Sequence, residues 1–307
     1  MPEWNPSDKT AFIAIVGRPN VGKSSLLNRM LGQKVAIVSN KPQTTRTRIM
    51  GVLTEGTDQL VFIDTPGLHK PKNKLGNYMV KSVTESVSGV DAALLVVEAG
   101  TKISPADQEL MEKFKALELP AMLAINKIDM LQDKSVLMEQ IQNLSEQFPF
   151  TAVVPVSAMD GSGMTELVAE LKQLCEPGGH FFPDDTLTDQ PERVLAGEII
   201  REKLLRLLDK EVPHGIAVSV ERMRERDDGS DITDIDATIY CERDSHKAIV
   251  IGKKGAMLKK VGIHARGDME RFFDCKINLQ LWVKVKEDWR NRQNILHALG
   301  YDKTDFS

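Results

Sequence analysis

The octapeptide GRPNVGKS (Gly17–Ser24) constrains the fold more than any other stretch of the chain. It matches G-x-x-x-x-G-K-[ST], a pattern that works in one setting only. An apolar strand must lead in, a helix must lead out, and glycines between them must let successive backbone N–H groups face one concavity beside the positive end of the helix. AFIAIVG (residues 11–17) reads as that strand and KSSLLNRMLG as that helix, ending at Gly32. A chance glycine turn is the competing explanation. Ordinary residue frequencies produce such a match in about one chain in a hundred, and the strand–loop–helix setting lowers that further. Gly17, Asn20, Val21, Gly22 and Ser25 become candidate phosphate-side residues. Lys23 would reach the β- and γ-phosphates of a nucleotide, and Ser24 would bind Mg²⁺.

Three further motifs fall in register behind it. DTPG (Asp64–Gly67) closes the apolar run LVFIDTPG. Alone it reads as an ordinary Pro-Gly turn, but downstream of a phosphate loop it is where a magnesium-side carboxylate belongs. Asp64 would hold the metal through water and the Gly67 N–H would touch the γ-phosphate, with Thr65 and Pro66 forming the turn between them. NKID (Asn126–Asp129) follows the strand-like AMLAI. The Asp129 carboxylate can accept hydrogen bonds from both N1–H and the exocyclic amine of guanine. Adenine offers no such pair of donors, so GTP is expected over ATP and an ATP-dependent enzyme is disfavoured. Asn126 and Lys127 would brace the base and the phosphate loop, and in VSAM (residues 156–159) Ser157 and Ala158 would meet the base, with the Ala158 N–H toward guanine O6. Between the first two motifs lies NKPQTTRTR (residues 40–48). A threonine here would complete Mg²⁺ coordination, and Thr44 and Thr45 are equally suitable. Lys23, Thr44, Thr45 and Gly67 are the candidate catalytic groups.

Short apolar runs alternate with helical periods throughout this half. DAALLVVEAG (91–100) and TAVVPVSA (151–158) read as strands, SPADQELMEKFKAL and DKSVLMEQIQNLSEQF as helices with N-caps at Ser104 and Asp133. The alternation predicts a mostly parallel sheet with helices on both faces. The pattern stops at EPGGHFFPDDTLTDQPE (176–192), whose prolines, glycines and acids read as a linker. Beyond it the expected order is helix (ERVLAGEIIREKLLRLL, with Ile200, Leu204, Leu207 and Leu208 on one side), two strands joined by RDDGSD, a short helix, a long helix and a final strand. We therefore expect an α/β unit over 1–178, a linker over 179–192 and a small α+β unit over 193–307.

The motifs of the first half occur in the order of the Ras-like GTPase superfamily. GRPNVGKSSLLN, TTRTR and DTPGLHK resemble the translation-factor-related branch, and the Era family in particular. The resemblance implies a GTPase using GTP and Mg²⁺, with segments 40–48 and 67–75 ordered by the nucleotide and released on hydrolysis. One departure matters. Ras-type enzymes place a water-orienting Gln directly after the DxxG motif, and this chain has Leu68 there. A leucine neither orients nor polarises water, so intrinsic hydrolysis is expected to be slow, or its catalyst to come from elsewhere. In related GTPases an Asn at the position of Asn20 helps bind a potassium ion, which adds K⁺ as a candidate cofactor. A purely structural Asn competes with that reading.

With nucleotide chemistry assigned to the first half, IVIGKKGAMLKK (249–260) takes on meaning. GKKG (Gly252–Gly255) lacks the six-residue phosphate-loop frame, but it lies between a short and a long helical run. That setting fits the GXXG loop of a KH domain, where a single strand's sugar–phosphate backbone approaches closely and an apolar groove holds the bases. The element order resembles the type II, bacterial KH arrangement. Lys253, Lys254, Lys259 and Lys260 would meet phosphates, and Ile249, Ile251 and Ile263 are candidate groove walls. A glycine turn with solvated lysines is the bland alternative. Net charge is −4, which argues against bulk electrostatic binding of nucleic acid, yet residues 247–271 hold seven Lys and Arg against Asp268 and Glu270. In the last strand, LQLWVKVK, we expect Leu279, Leu281, Val283 and Val285 on the core face, and we read Trp282 and Trp289 as packing residues. Three widely spaced cysteines predict reduced thiols and no zinc site. No signal peptide or membrane span is evident, so a cytoplasmic protein is expected. The Era resemblance further implies binding near the 3′ end of small-subunit ribosomal RNA, a role in assembly of the small ribosomal subunit and peripheral association with the cytoplasmic membrane. A monomer is expected.

Overall fold

A computed structural model describes residues 5–41, 43–68, 71–133, 135–209 and 212–301. Pro42, His69 and Lys70, which belong to the two segments expected to respond to nucleotide, lie outside the described residues. The chain forms two compact units, one of residues 1–36, 45–70 and 79–189, the other of residues 37–44, 71–78 and 190–307.

The first unit contains β1 (Lys9–Val16), α1 (Lys23–Leu31), β2 (Ile49–Glu55), β3 (Asp58–Asp64), most of α2 (Lys74–Val87), β4 (Ala92–Glu98), α3 (Pro105–Ala116), β5 (Ala121–Asn126), α4 (Ser135–Ser145), β6 (Val153–Pro155), α5 (Met164–Lys172) and β7 (Glu176–Pro177). The sheet order is β2-β3-β1-β4-β5-β6, with the short β7 beside the start of β1. All pairs are parallel except β2–β3 and β1–β7. Strand side chains alternate between faces. Ile13, Ile15, Leu94 and Val96 pack on one side with Leu26 and Leu27 of α1 and Leu167 and Leu171 of α5. Ala14, Val16, Leu95 and Val97 pack on the other with Val83 of α2, Phe114 of α3 and Leu144 of α4. Two covered faces explain why the strands read as continuous apolar runs. The Ser104 side chain accepts the Asp107 N–H and Asp107 reaches back to the Ser104 N–H, a reciprocal cap that starts α3. The parallel strands end on one side of the sheet, where open α/β folds bind ligands.

Residues 176–189, whose composition reads as linker, are fastened to this unit along their length. The buried Gln59 side chain accepts the Phe181 and Phe182 N–H groups at 2.8 and 3.0 Å and donates to the Phe182 carbonyl at 2.9 Å. Phe181 meets Phe12 edge to face. Beyond them the Leu187 carbonyl accepts the Val52 N–H at 2.9 Å, and the Thr188 hydroxyl donates to the Met50 carbonyl at 2.6 Å. These last two bonds occupy the edge strand β2, which would otherwise present unpaired backbone groups.

The second unit comprises α6 (Glu192–Leu207), β8 (Ile216–Glu225), β9 (Ile232–Cys241), α7 (Asp244–Ile251), α8 (Ala256–Phe273), β10 (Lys276–Val285) and α9 (Gln293–Ala298). Its sheet runs β10-β9-β8, with β9–β10 parallel and β8–β9 antiparallel. Ile200 and Leu204 of α6, Val250 of α7 and Val261, Ala265 and Met269 of α8 fill its core against Ile235, Ala237 and Ile239. The helix–strand–strand–helix–GKKG–helix–strand order is the expected one. Trp289 is fully buried, donates Nε1–H to the Gly215 carbonyl at 2.9 Å and stacks on Tyr301, as a packing residue should. Trp282 departs from the expectation: at 44% exposure it stands on the outer face of an edge strand. Leu279, Leu281 and Val283 also differ from a closed core face. They touch the core but stay partly exposed, Leu279 and Leu281 because they border a groove.

Candidate nucleotide and nucleic-acid sites

Gly17 leaves β1 at φ +143°, and a Cβ there would stand 2.3 Å from the Val96 carbonyl. Gly22 has φ +101°, and its Cβ would meet Asn126 Nδ2 at 2.2 Å. Only glycine fits either place, so the loop can wrap tightly before α1 begins. Lys23 folds back over it, donating to the Gly17 and Arg18 carbonyls at 3.0 Å each. Burial pulls the Lys23 ammonium down to about 8, with Asp64 and Asp107 opposing the shift. Burial pushes the Asp64 carboxyl up to about 6 against Lys23 and its hydrogen bond from Ser24.

Asp64 Oδ2 accepts the Ser24 hydroxyl at 2.6 Å, and Ser24 Oγ lies 2.9 Å from Thr45 Oγ1. Asp64 Oδ1 is buried without a hydrogen-bond partner. Three hard oxygen donors thus converge beside a phosphate-type loop, with one carboxylate lone pair left over. This donor set fits Mg²⁺. The structure brings Thr45 into the cluster and leaves Thr44 out: the Thr44 hydroxyl donates to the Lys41 carbonyl at 2.6 Å and lies 2.8 Å from Ser39 Oγ. Gly67 presses against the phosphate loop, where a Cβ would come within 2.6 Å of Pro19. The Thr65 hydroxyl is engaged by the Ile15 carbonyl and Pro66 is buried, so both shape the turn. Val21 sits in the core and can offer only backbone. Leu68 packs at the edge of the apolar cluster on the sheet face, its N–H donating to the Gly17 carbonyl at 3.3 Å. Asn20 is exposed with φ 66°.

At the base end, Asn126 Nδ2 donates to the Val21 carbonyl at 2.8 Å and Asn126 Oδ1 accepts the Ala158 N–H at 3.1 Å. One side chain therefore ties the phosphate loop to the VSAM loop, and the Ala158 N–H, expected to face guanine O6, has a protein acceptor. The Ser157 hydroxyl holds Asp129 Oδ1 at 2.7 Å, orienting the carboxylate. Lys127 (φ 68°) pairs with Glu98 at 2.8 Å. Asp129→Asn should shift preference from guanine toward xanthine nucleotides by at least about tenfold, the scale of re-pairing a charged hydrogen bond. Competition binding with GDP and XDP reads this out.

In the second unit, Gly252 (φ +70°), Lys254 (φ 52°) and Gly255 (φ +78°) make the sharp link from α7 to α8. A Cβ at Gly252 would meet Met257 at 2.7 Å. Lys253 and Lys254 are exposed. Next to them runs a groove of about 400 Å³ lined by Gly255, Leu258, Lys259, Gly262, Ile263, Arg266, Leu279 and Leu281. Ile263 and Lys259, expected as a groove wall and a phosphate contact, both line it. Ile249 and Ile251, on α7, do not line the groove, and Lys260 does not either. Leu258, Gly262, Arg266, Leu279 and Leu281 also line it and were not expected there from the sequence. A glycine inside a long helix costs about 1 kcal/mol relative to alanine; at Gly262 the helix backbone forms part of the groove lining, with Leu281 3.6 Å from where a Cβ would stand.

Comparison with known proteins follows this division. Residues 12–127 match the family model described as 50S ribosome-binding GTPase, and residues 211–290 match the KH domain model. GTPase Era of Clostridioides difficile (strain 630) is 50% identical over 294 residues, 96% of this chain and 99% of that protein. GTPase Era of Ruminiclostridium cellulolyticum is 50% identical over 295 residues, covering 96% and 98%. Two crystal structures superpose with a TM-score of 0.92 at 39% identity, over 96% of this chain and all of theirs: a variant of Aquifex aeolicus Era bound to GDP·AlF₄⁻, and Era in complex with MgGDPNP and nucleotides 1506–1542 of 16S ribosomal RNA. Relatives that share half their residues with this chain from end to end, through both the phosphate loop and the GKKG groove, place it in the Era family of GTPases.

Proposed function

We propose that the protein is a GTP-hydrolysing switch that binds single-stranded RNA from the 3′-end region of small-subunit ribosomal RNA and assists assembly of that subunit. One observation carries the reading: a phosphate loop with the converged Ser24, Thr45 and Asp64 oxygens in one unit, and a basic GKKG loop beside an apolar groove in the other. The Era structure holding both MgGDPNP and 16S ribosomal RNA nucleotides supports it.

Ser24 and Thr45 would hold Mg²⁺ directly and Asp64 through water. When bound, the ion neutralises charge on the phosphates. Lys23 would leave the Gly17 and Arg18 carbonyls to meet the β- and γ-phosphates, and the Gly67 N–H would steady the γ-phosphate. Asp129, held by Ser157, would select guanine. Leu68 offers no polar atom on its side chain to orient water, which supports slow intrinsic hydrolysis and, as a second reading, an assembly module that uses GTP only as a structural ligand. Asn20 would support a potassium ion in the phosphate loop. On the nucleic-acid side Lys253, Lys254 and Lys259 would meet phosphates while Ile263, Leu279 and Leu281 wall the bases. We further propose a cytoplasmic monomer. Peripheral membrane association follows from the family resemblance alone, and no helix among the described residues is long and apolar enough to cross a membrane.

Phosphate release measured with and without RNA, in potassium and in sodium buffers, tests the reading. Slow release that accelerates with potassium and with RNA is expected. Absence of release under every condition would leave the structural-ligand reading in place.

A further inference from the structure

Helix α6 hides a run of charge. Arg201, Glu202 and Lys203 are 1%, 0% and 6% exposed, on a helix whose sequence reads as having one apolar and one solvated side. Buried ions survive only when paired, and these are. Arg201 meets Glu198 at 2.7 and 2.5 Å. Lys203 bonds Glu202 at 2.8 Å and Asp268 of α8. Arg206 reaches Glu202 at 3.0 Å.

Much of the hydrogen-bonding capacity left over is directed at one stretch of backbone. Glu202 Oε1 accepts the Val38 N–H at 3.1 Å, and Arg206 donates to the Val38 carbonyl at 2.9 and 3.2 Å. Arg201 donates to the Thr44 carbonyl, and Lys41 donates to the Leu208 carbonyl at the end of α6. The segment is therefore gripped at both ends, which is why residues 37–44 group with the second unit. Apart from the Lys41 bond, these contacts are made to the segment's main chain at Val38 and Thr44, so they fix its backbone there whatever those two side chains do. Simple packing would have used apolar groups, which often serve as well as a buried ion pair. Hydrogen bonds from ions can instead be exchanged for water without exposing apolar surface, as a segment with two positions requires. The next residue along the chain is Thr45, the threonine of the oxygen cluster.

We propose that Arg201, Glu202 and Arg206 are positioning residues for GTP hydrolysis: they hold the backbone at Val38 and Thr44 so that Thr45 stays beside Ser24 and Asp64, and the Lys203–Asp268 pair ties that placement to α8, the helix lining the RNA groove. The inference rests on the functional reading above and names the regulation of its two sites. Thr45 matters only when a γ-phosphate and Mg²⁺ are present, so loosening the grip should affect the GTP state and spare the GDP state.

The test uses the full chain, with fluorescent GDPNP and GDP, Mg²⁺, and a single-stranded RNA of the 16S 3′ region. Arg206→Ala combined with Lys41→Ala removes two of the grips while leaving the buried charges of α6 in place. It should lower GDPNP affinity about tenfold, the scale of losing a hydrogen bond to a charged group, with GDP affinity unchanged and any difference in RNA affinity between the two nucleotide states reduced. Arg201→Ala should behave alike and Arg201→Lys should recover part of the loss. If Arg201→Ala does not fold, the Arg206/Lys41 variant decides. Equal losses for GDPNP and GDP, or no loss for either, would overturn the inference. An unaltered chain that bound neither guanine nucleotide nor the RNA would overturn the functional reading itself, whereas normal binding by the unaltered chain with unaffected variants removes the role of α6 alone.

Discussion

Thr45→Ala should lower GTP hydrolysis by ~10²-fold, the scale of losing one preorganised electrostatic contact at a reacting group, while Thr44→Ala should leave it within about threefold. The two residues are neighbours with identical side chains, and the contrast comes from where each hydroxyl points. Thr45 Oγ1 lies 2.9 Å from Ser24, which is itself 2.6 Å from Asp64. The Thr44 hydroxyl is engaged within its own loop, by the Lys41 carbonyl and Ser39. Alanine at 45 removes an oxygen from the cation shell, so the Mg²⁺ concentration giving half-maximal rate should rise as the rate falls. Alanine at 44 keeps the carbonyl that Arg201 grips. Single-turnover phosphate release across a magnesium titration separates the cases. A rate loss at Thr44 larger than at Thr45 would mean that the cluster seen here is not the one that meets the nucleotide.

The contrast also marks how far sequence carries. The phosphate loop, DTPG and NKID were legible because each arranges its groups over four to eight consecutive residues, and the positive φ of Gly17 and Gly22 is a local demand of the loop. A difference between Thr44 and Thr45 was not legible. Their separation comes from tertiary placement, the first residue's carbonyl held from α6 and the second residue's hydroxyl beside Ser24. Similar reasons hid the groove walls. Leu279 and Leu281 alternate as core residues do, and nothing local says that they border a groove beside Gly262 of α8. Ile249 and Ile251 lie on α7 and are not among the residues lining the groove between α8 and β10. The linker was recognised from its prolines and glycines, which do exclude long helices and strands. What it rests on was written elsewhere, in one polar residue, Gln59, at the head of an apolar strand. The burial of the α6 charges was hidden for the same reason, since their partners arrive from Val38, Thr44 and α8.

Replacing Lys253 and Lys254 together with aspartate should weaken single-stranded RNA binding by ~10²-fold, about tenfold for each charged contact removed, and leave nucleotide binding intact. The chain's net charge of −4 gives RNA no general attraction, so the local basic loop has to supply it. Both lysines are exposed and neither belongs to the core. Aspartate is chosen with the backbone in mind: Lys254 sits at φ 52°, a conformation that aspartate tolerates better than most residues, so the turn should survive the change. Gly252 remains free to take φ +70° and to clear Met257. Affinity alone would not separate a lost phosphate contact from a damaged groove, but salt dependence does. Each phosphate neutralised on a single strand contributes about 0.7 to the slope of log K against log salt, so losing two contacts should flatten that slope by about 1.4. A groove collapse would instead reduce affinity with the slope retained, because the remaining contacts would still release their counterions. Titrations at several salt concentrations with an unchanged circular dichroism spectrum make the distinction. An unaltered affinity and slope would mean that the strand lies elsewhere on the protein.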